Sequence, residues 1–295
     1  MITFLRAQRT RILLVVVLVV LAILGLNSWY KTIYSDPRRV FNAMLENSLR
    51  TGSITKQVVQ NSEEQTLDQT VRLQLGAKHV AQGMTNLSQK GLASATVMTE
   101  SLGTPTSDFV RYKSIDTDQK NEAGQPLDFS QILGVWGKSE VTDTTSGELY
   151  NESVLGVIPF GNLSASDRKE LLNIAKELDV YKVEYETVNR GDINGRPAYE
   201  YTVKVLPEAY VTLLKEYAKR VGLTHLEDIN PANYANADSI EFKVSVDVRT
   251  RRLAGITYDS GREEYYSAYG TRPNVELPTE TVPIEELQSR LQQVK

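Results

Sequence analysis

Ser53-Ile54-Thr55-Lys56 and Ser166-Asp167-Arg168-Lys169 each match S-x-x-K, the spacing that puts a lysine beside a serine nucleophile in penicillin-recognising enzymes. That chemistry needs further partners. Neither S-D-N nor K-T-G follows either tetrapeptide in a usable order, and Ser53 heads a strand-like stretch rather than a helix. Gly137-Lys138-Ser139 has the form of a P-loop end, but Ile132 stands where the first glycine would fall. Asp116 and Asp118 open like a calcium loop, with Lys120 and Glu122 at the next oxygen and glycine positions. His79 and His225 are far apart, so a zinc site would need both of them plus carboxylates. The chain has no cysteine, which excludes thiol chemistry and a disulfide framework. No G-x-S-x-G occurs. The sequence therefore predicts no catalytic residue, no metal, no cofactor and no enzyme activity; an envelope hydrolase is the remaining enzymatic reading.

The elements around these residues say more. An apolar run extends from Ile12 to Leu26, after Arg6, Arg9 and Arg11 and before Trp29 and Tyr30. A bilayer core needs roughly 20 apolar residues in a helix, and Trp and Tyr suit the headgroup level. Residues 12–30 are thus expected to be a transmembrane signal anchor. A cleaved signal peptide would want a small-x-small site after the run, which Asn27, Ser28 and Trp29 fit poorly; a buried core helix is the third reading. The arginines keep residues 1–11 as a cytoplasmic basic tail and send residues 31–295 outside the cell membrane. Beyond residue 30 there remain 30 basic against 37 acidic residues. That balance argues against nucleic acid and against docking on anionic headgroups by charge alone. The missing cysteines point to a bacterial envelope, where the sequons at Asn86, Asn151 and Asn162 carry no weight.

Asp36-Pro37 is an N-cap and first-turn pair opening a helix over 36–50, with Gly52 as its expected stop. From Ser53 the apolar period shortens to two, giving strands around Leu67–Leu75, Val80–Leu87, Leu92–Leu102 and Phe109–Ile115. Residues 116–130 and 142–148 read as loops, 129–136 as ambiguous, and 154–160 as a short apolar segment. Further helices are predicted at 164–178 and 207–221, with a short one after Pro283. Asn194-Gly195 predicts a hairpin joining a strand at Tyr181–Tyr185 to one at Tyr199–Val205. The clearest alternation runs from Ile240 to Val248. The expected fold is α+β: a transmembrane helix, then a curved antiparallel sheet, or half-barrel, covered on one face by short helices.

Tyrosines crowd the strands (Tyr181, Tyr185, Tyr199, Tyr201, Tyr258, Tyr265, Tyr266, Tyr269). They suit sheet packing, and secondarily an amphipathic cleft. Short helices over a large apolar sheet face leave room for an apolar cavity. The lining candidates are Leu67, Val71, Leu73, Tyr199, Tyr201, Val203, Ile240, Phe242, Val244 and Val246.

The order of elements, with V-D-x-x-T-x-x-L from Val246 to Leu253, a following strand and the tyrosine-rich Y-Y-S-A-Y-G, resembles bacterial lipoprotein-carrier-like domains. These include the periplasmic lipoprotein carriers and the mycobacterial lipid-binding lipoproteins. The resemblance spans residues 36–295. It implies a half-open barrel with a helical lid that binds acyl chains, here tethered by a transmembrane helix instead of a lipidated cysteine. A membrane-tethered domain binding an acylated or other hydrophobic ligand is the leading expectation. An envelope protein-interaction or sensor module with a filled core is the alternative.

Overall fold

A computed structural model describes residues 18–26, 28–29, 34–76, 79–91, 94–140, 148–193, 195–223, 226, 228–271 and 274–294. The tail at 1–11 and residues 12–17 of the apolar run lie outside the described residues, as does His225. Residues 18–26 are helical, and the large apolar side chains there are 48 to 66% exposed. No helix among the described residues is long and apolar enough to cross a membrane.

Residues 53–283 build one unclosed sheet. Its strands are β1 (Ser53–Asn61), β2 (Gln65–Leu75), β3 (His79–Gln89), β4 (Ala95–Gly103), β5 (Ser107–Thr117), β6 (Gly137–Glu140), β7 (Tyr181–Val183), β8 (Asn189–Ile193), β9 (Arg196–Val205), β10 (Ile240–Asp247), β11 (Arg252–Tyr258), β12 (Arg262–Ser267) and β13 (Val282–Pro283). The spatial order is β13-β6-β5-β4-β3-β2-β1-β12-β11-β10-β9-β7, with β8 also on β9. The chain's two meanders, β1 to β6 and β9 to β12, meet where β1 pairs with β12. The expected antiparallel plan holds except for β13, which runs parallel to β6.

The helices are α1 (Pro37–Leu49), α2 (Glu148–Val154), α3 (Ala165–Glu177), α4 (Pro207–Val221) and α5 (Ile284–Gln292). They lie on one face of the sheet. Small residues make that possible on the first meander: Ala81 faces Gly103, and Gly83 faces Ser101. The resulting hollow takes Leu149 of α2, and a Cβ on Gly103 would fall 2.8 Å from the Tyr150 backbone nitrogen. In the same row a Cβ on Gly137 would meet Ile284 and Leu287 of α5. Among the described residues, the opposite face carries a small cluster of Val80, Leu102, Phe109 and Val275 with Trp136 against it.

Local chemistry sets the helix ends. Asp36 accepts from the Arg39 amide at 2.9 Å, and Ser164 caps α3 through the Asp167 amide. Gly222 ends α4 at φ 77°, a left-handed position that glycine holds without strain. Gly52 plays no such part: α1 ends at Leu49, and Thr51 Oγ1 donates to the Asn47 carbonyl.

Two expectations need correcting. The hairpin closed at Gly195 joins β8, not β7, to β9; a 3₁₀ turn at Tyr185–Thr187 separates the two short strands, and both pair with β9. Helix α2 begins at Glu148, the last residue of a stretch read as loop, and runs on to Val154; its burial comes from the hollow above.

Candidate functional site

Between sheet and helices runs the irregular segment 155–163, L-G-V-I-P-F-G-N-L. Ile158 is 1% exposed and Phe160 3%. An irregular segment buried this deeply has carbonyls that must find donors. Three tyrosines supply them: Tyr210 OH donates to Gly156 O at 2.7 Å, Tyr181 OH to Val157 O at 2.8 Å, and Tyr217 OH to Phe160 O. The amides of Gly161 and Leu163 pair with the carbonyls of Ser48 and Leu49 at the end of α1. Burial raises the hydroxyl pKa of Tyr181, Tyr210 and Tyr217, so all three remain donors.

Tyrosine has the same use elsewhere. Tyr199 and Tyr201 donate to the carbonyls of Ser35 and Pro37 and so fix the entry to α1. Tyr269 donates to Leu253 O at 2.6 Å. Tyr181, Tyr199 and Tyr201 thus staple the sheet to the layer above it, while Tyr265 and Tyr266 bond within their own strand.

Beside the buried segment a crevice of about 20 Å³ remains. Leu45 and Leu49 of α1 form one wall, and Leu171, Leu172 and Ala175 of α3 the other. Ile158, Pro159, Tyr181, Leu213 and Tyr217 close it below. The crevice has room for about one water and no polar lining, so it stays dry. Leu45, Leu172, Ala175 and Tyr181 also line an open groove between α1 and α3, making the crevice the floor of that groove. Arg38, Arg39, Lys176, Lys182, Lys204 and Arg251 stand along the groove, against Glu46, Asp179 and Glu184. Arg38 lies over the Tyr185 ring at 4.8 Å.

The predicted lining residues sit elsewhere. Register puts them on the helix-bearing face, in two groups parted by β1, β12 and β11. Val203, Tyr201 and Tyr199 of β9 stand opposite Phe242, Val244 and Val246 of β10, all at most 4% exposed. Val71 and Leu73 of β2 are buried at 3% and 2%, and Leu67 is half-buried. Ile240 is 48% exposed. None of them borders the crevice or its groove.

A charged cluster occupies the seam between the meanders. Glu264, 2% exposed, meets Lys56 Nζ at 3.2 Å and Arg262 Nη2 at 2.8 Å, and accepts from Tyr266 OH. Burial works to raise the Glu264 pKa. The Lys56 charge, the Tyr266 hydrogen bond and Arg262 outweigh it, and the carboxyl lies below its usual range. Burial lowers the Lys56 ammonium despite Glu264. The cluster satisfies itself and borders none of the cavities above.

The motifs of the opening paragraph do not assemble. Ser53 and Lys56 lie on a strand, where residues three apart point to opposite faces. Ser166 and Lys169 are exposed on α3, and Gly137-Lys138-Ser139 belongs to β6. His79 stacks on Tyr150. No group of His, Asp and Glu among the described residues is placed to hold a metal.

The segment 155–163 and the α1–α3 groove were not foreseen as a site. The signal was there: an apolar run without period, broken by Gly and Pro, reads as buried.

No protein-family profile matches the chain. No curated protein matches it either. Among solved structures, the crystal structure of LprF from Mycobacterium bovis is loosely similar, with a TM-score of 0.40 and 11% identity over 81% of this chain and 95% of that one.

Proposed function

We propose that residues 31–295 form a non-enzymatic domain outside the cell membrane, tethered by the apolar run Ile12–Leu26, that takes the acyl part of an amphiphile between α1 and α3. The observation that carries this is the wholly apolar crevice at the floor of a cation-rimmed groove. Half-exposed apolar side chains on every turn of residues 18–26 support the tether, since burial in lipid relieves them. Acyl ligands need cavities of about 300 Å³ or more. Binding therefore requires α3 to swing from α1, or residues 155–163 to yield. Groove arginines and lysines would hold an acidic headgroup.

The filled interior favours a second reading, an envelope interaction or sensor module without a small ligand. Native mass spectrometry of the full chain released from membranes separates the two. A retained lipid mass, lost in Leu172→Glu, supports the first. A bare chain that also fails to take up added fatty acid supports the second.

A further inference from the structure

We propose that the turn between β10 and β11, with the neighbouring start of β9, is a binding surface for anionic phospholipid headgroups. This deepens the tether reading and rests on it for the surface's orientation.

The chain is pinned where it leaves the apolar helix. Trp29 and Tyr34 are in ring contact at 5.7 Å. Tyr34 OH donates to Arg249 O at 2.8 Å. Arg251 stacks on the Tyr34 ring at 4.3 Å, and its Nη2 donates to the Tyr34 carbonyl. Asn47 of α1 in turn holds the Arg251 carbonyl. The β10–β11 turn is therefore locked against Tyr34, whose ring touches Trp29. Trp is the residue expected at headgroup depth there.

That end of the domain is basic although the domain as a whole is acidic. Arg249 is exposed on the turn, Arg252 at the start of β11, and Arg196 and Arg190 beside them on β9 and β8. Asp247 Oδ1 accepts from the amides of Arg249 and Thr250, and Asp192 Oδ1 from that of Gly195. Each carboxylate is thus committed to shaping a turn. Asp247 also lies 3.8 Å from Arg196, a loose contact on a side chain 68% exposed. Arg252 lies over the Tyr269 ring at 4.9 Å and Arg190 over the Tyr199 ring at 5.5 Å, stacking that engages the guanidinium faces and leaves the in-plane N–H fork that suits phosphate. Net charge of the whole domain does not describe this end.

The test uses the full chain in vesicles of phosphatidylcholine, alone or with phosphatidylglycerol, followed by hydrogen exchange. Amides of residues 248–252 should exchange about tenfold more slowly in the anionic vesicles. High salt and the Arg249→Glu/Arg252→Glu variant should remove that protection. Lys90→Glu/Lys120→Glu, at the opposite ends of the strands, should leave it intact. Equal exchange in both vesicles, or equal loss in both variants, overturns the proposal. Flotation separates the two readings. Co-flotation with neutral vesicles reports the tether alone. Flotation only with phosphatidylglycerol sinks the tether and keeps the arginine surface.

Discussion

The Tyr181 hydroxyl donates to the Val157 carbonyl at 2.8 Å, tying an edge strand to the segment that fills the interior. Tyr217 does the same from α4 to Phe160. Removing one hydroxyl leaves a buried carbonyl without a donor, at a cost of about 1–3 kcal/mol. Tyr217→Phe should lose that much in denaturant unfolding. Tyr265→Phe, whose exposed hydroxyl meets only Glu263, should lose almost nothing.

Helix α2 packs tightly on the sheet at Gly103. A Cβ there would meet Tyr150 N at 2.8 Å and Leu149 Cβ at 2.9 Å, and backbone cannot step aside cheaply. Gly103→Ala should cost about 1–3 kcal/mol. Gly83→Ala, whose nearest neighbour is a Leu149 methyl at 3.5 Å, should be tolerated. Comparing the two melting temperatures checks the hollow as the seat of α2.

The seam cluster makes stability depend on acid. A carboxyl whose folded pKa lies below its unfolded value, about 4.3 for Glu, stabilises above that pH. The contribution is lost as pH falls through the lowered folded pKa. Unfolding free energy should therefore decline below about pH 4.3, and Glu264→Gln should flatten that decline while being less stable at neutrality. Lys56→Ala, which leaves a nearly buried carboxylate short of one partner, should cost about 3 kcal/mol.

Ala175 faces the crevice. Ala175 also lines the open groove, so the unbranched side chain of Ala175→Met fills the crevice with its first atoms and reaches the groove with its end, without losing helix propensity. Stability should hold or rise by up to about 1 kcal/mol, as for cavity filling, while acyl binding falls. A loss above about 2 kcal/mol in chemical denaturation would mean that the crevice has no room to fill.

The layers of this fold could be read from local signals. Asp36, Ser164 and Gly222 cap helices as their types require, and the alternation from Ile240 to Val246 became the inner row of β10. Pairings across the chain could not be read. Nothing local says that Lys56 stands opposite Tyr266, the register on which the meanders join. The same gap separates the predicted lining residues from the crevice between α1 and α3. An apolar strand face is equally consistent with lining a cavity and with packing on helices, and Tyr201 and Val244 pack. The segment at residues 155–163 reads as buried, but its exact place between the layers follows from long-range partners, the tyrosines that reach its carbonyls and the end of α1 that takes its amides. The arginines of the β10–β11 turn were visible individually, but a net charge taken over the whole domain concealed them.

The central claim is an acyl chain between α1 and α3. The direct measurement is photocrosslinking of the full chain in membranes containing a lipid with a photoreactive acyl tail, followed by peptide mapping. Adducts on the peptides carrying Leu45, Leu171 and Leu172, absent in Leu172→Glu, are the predicted result. Adducts confined to residues 12–30, with none on α1 or α3, would contradict it.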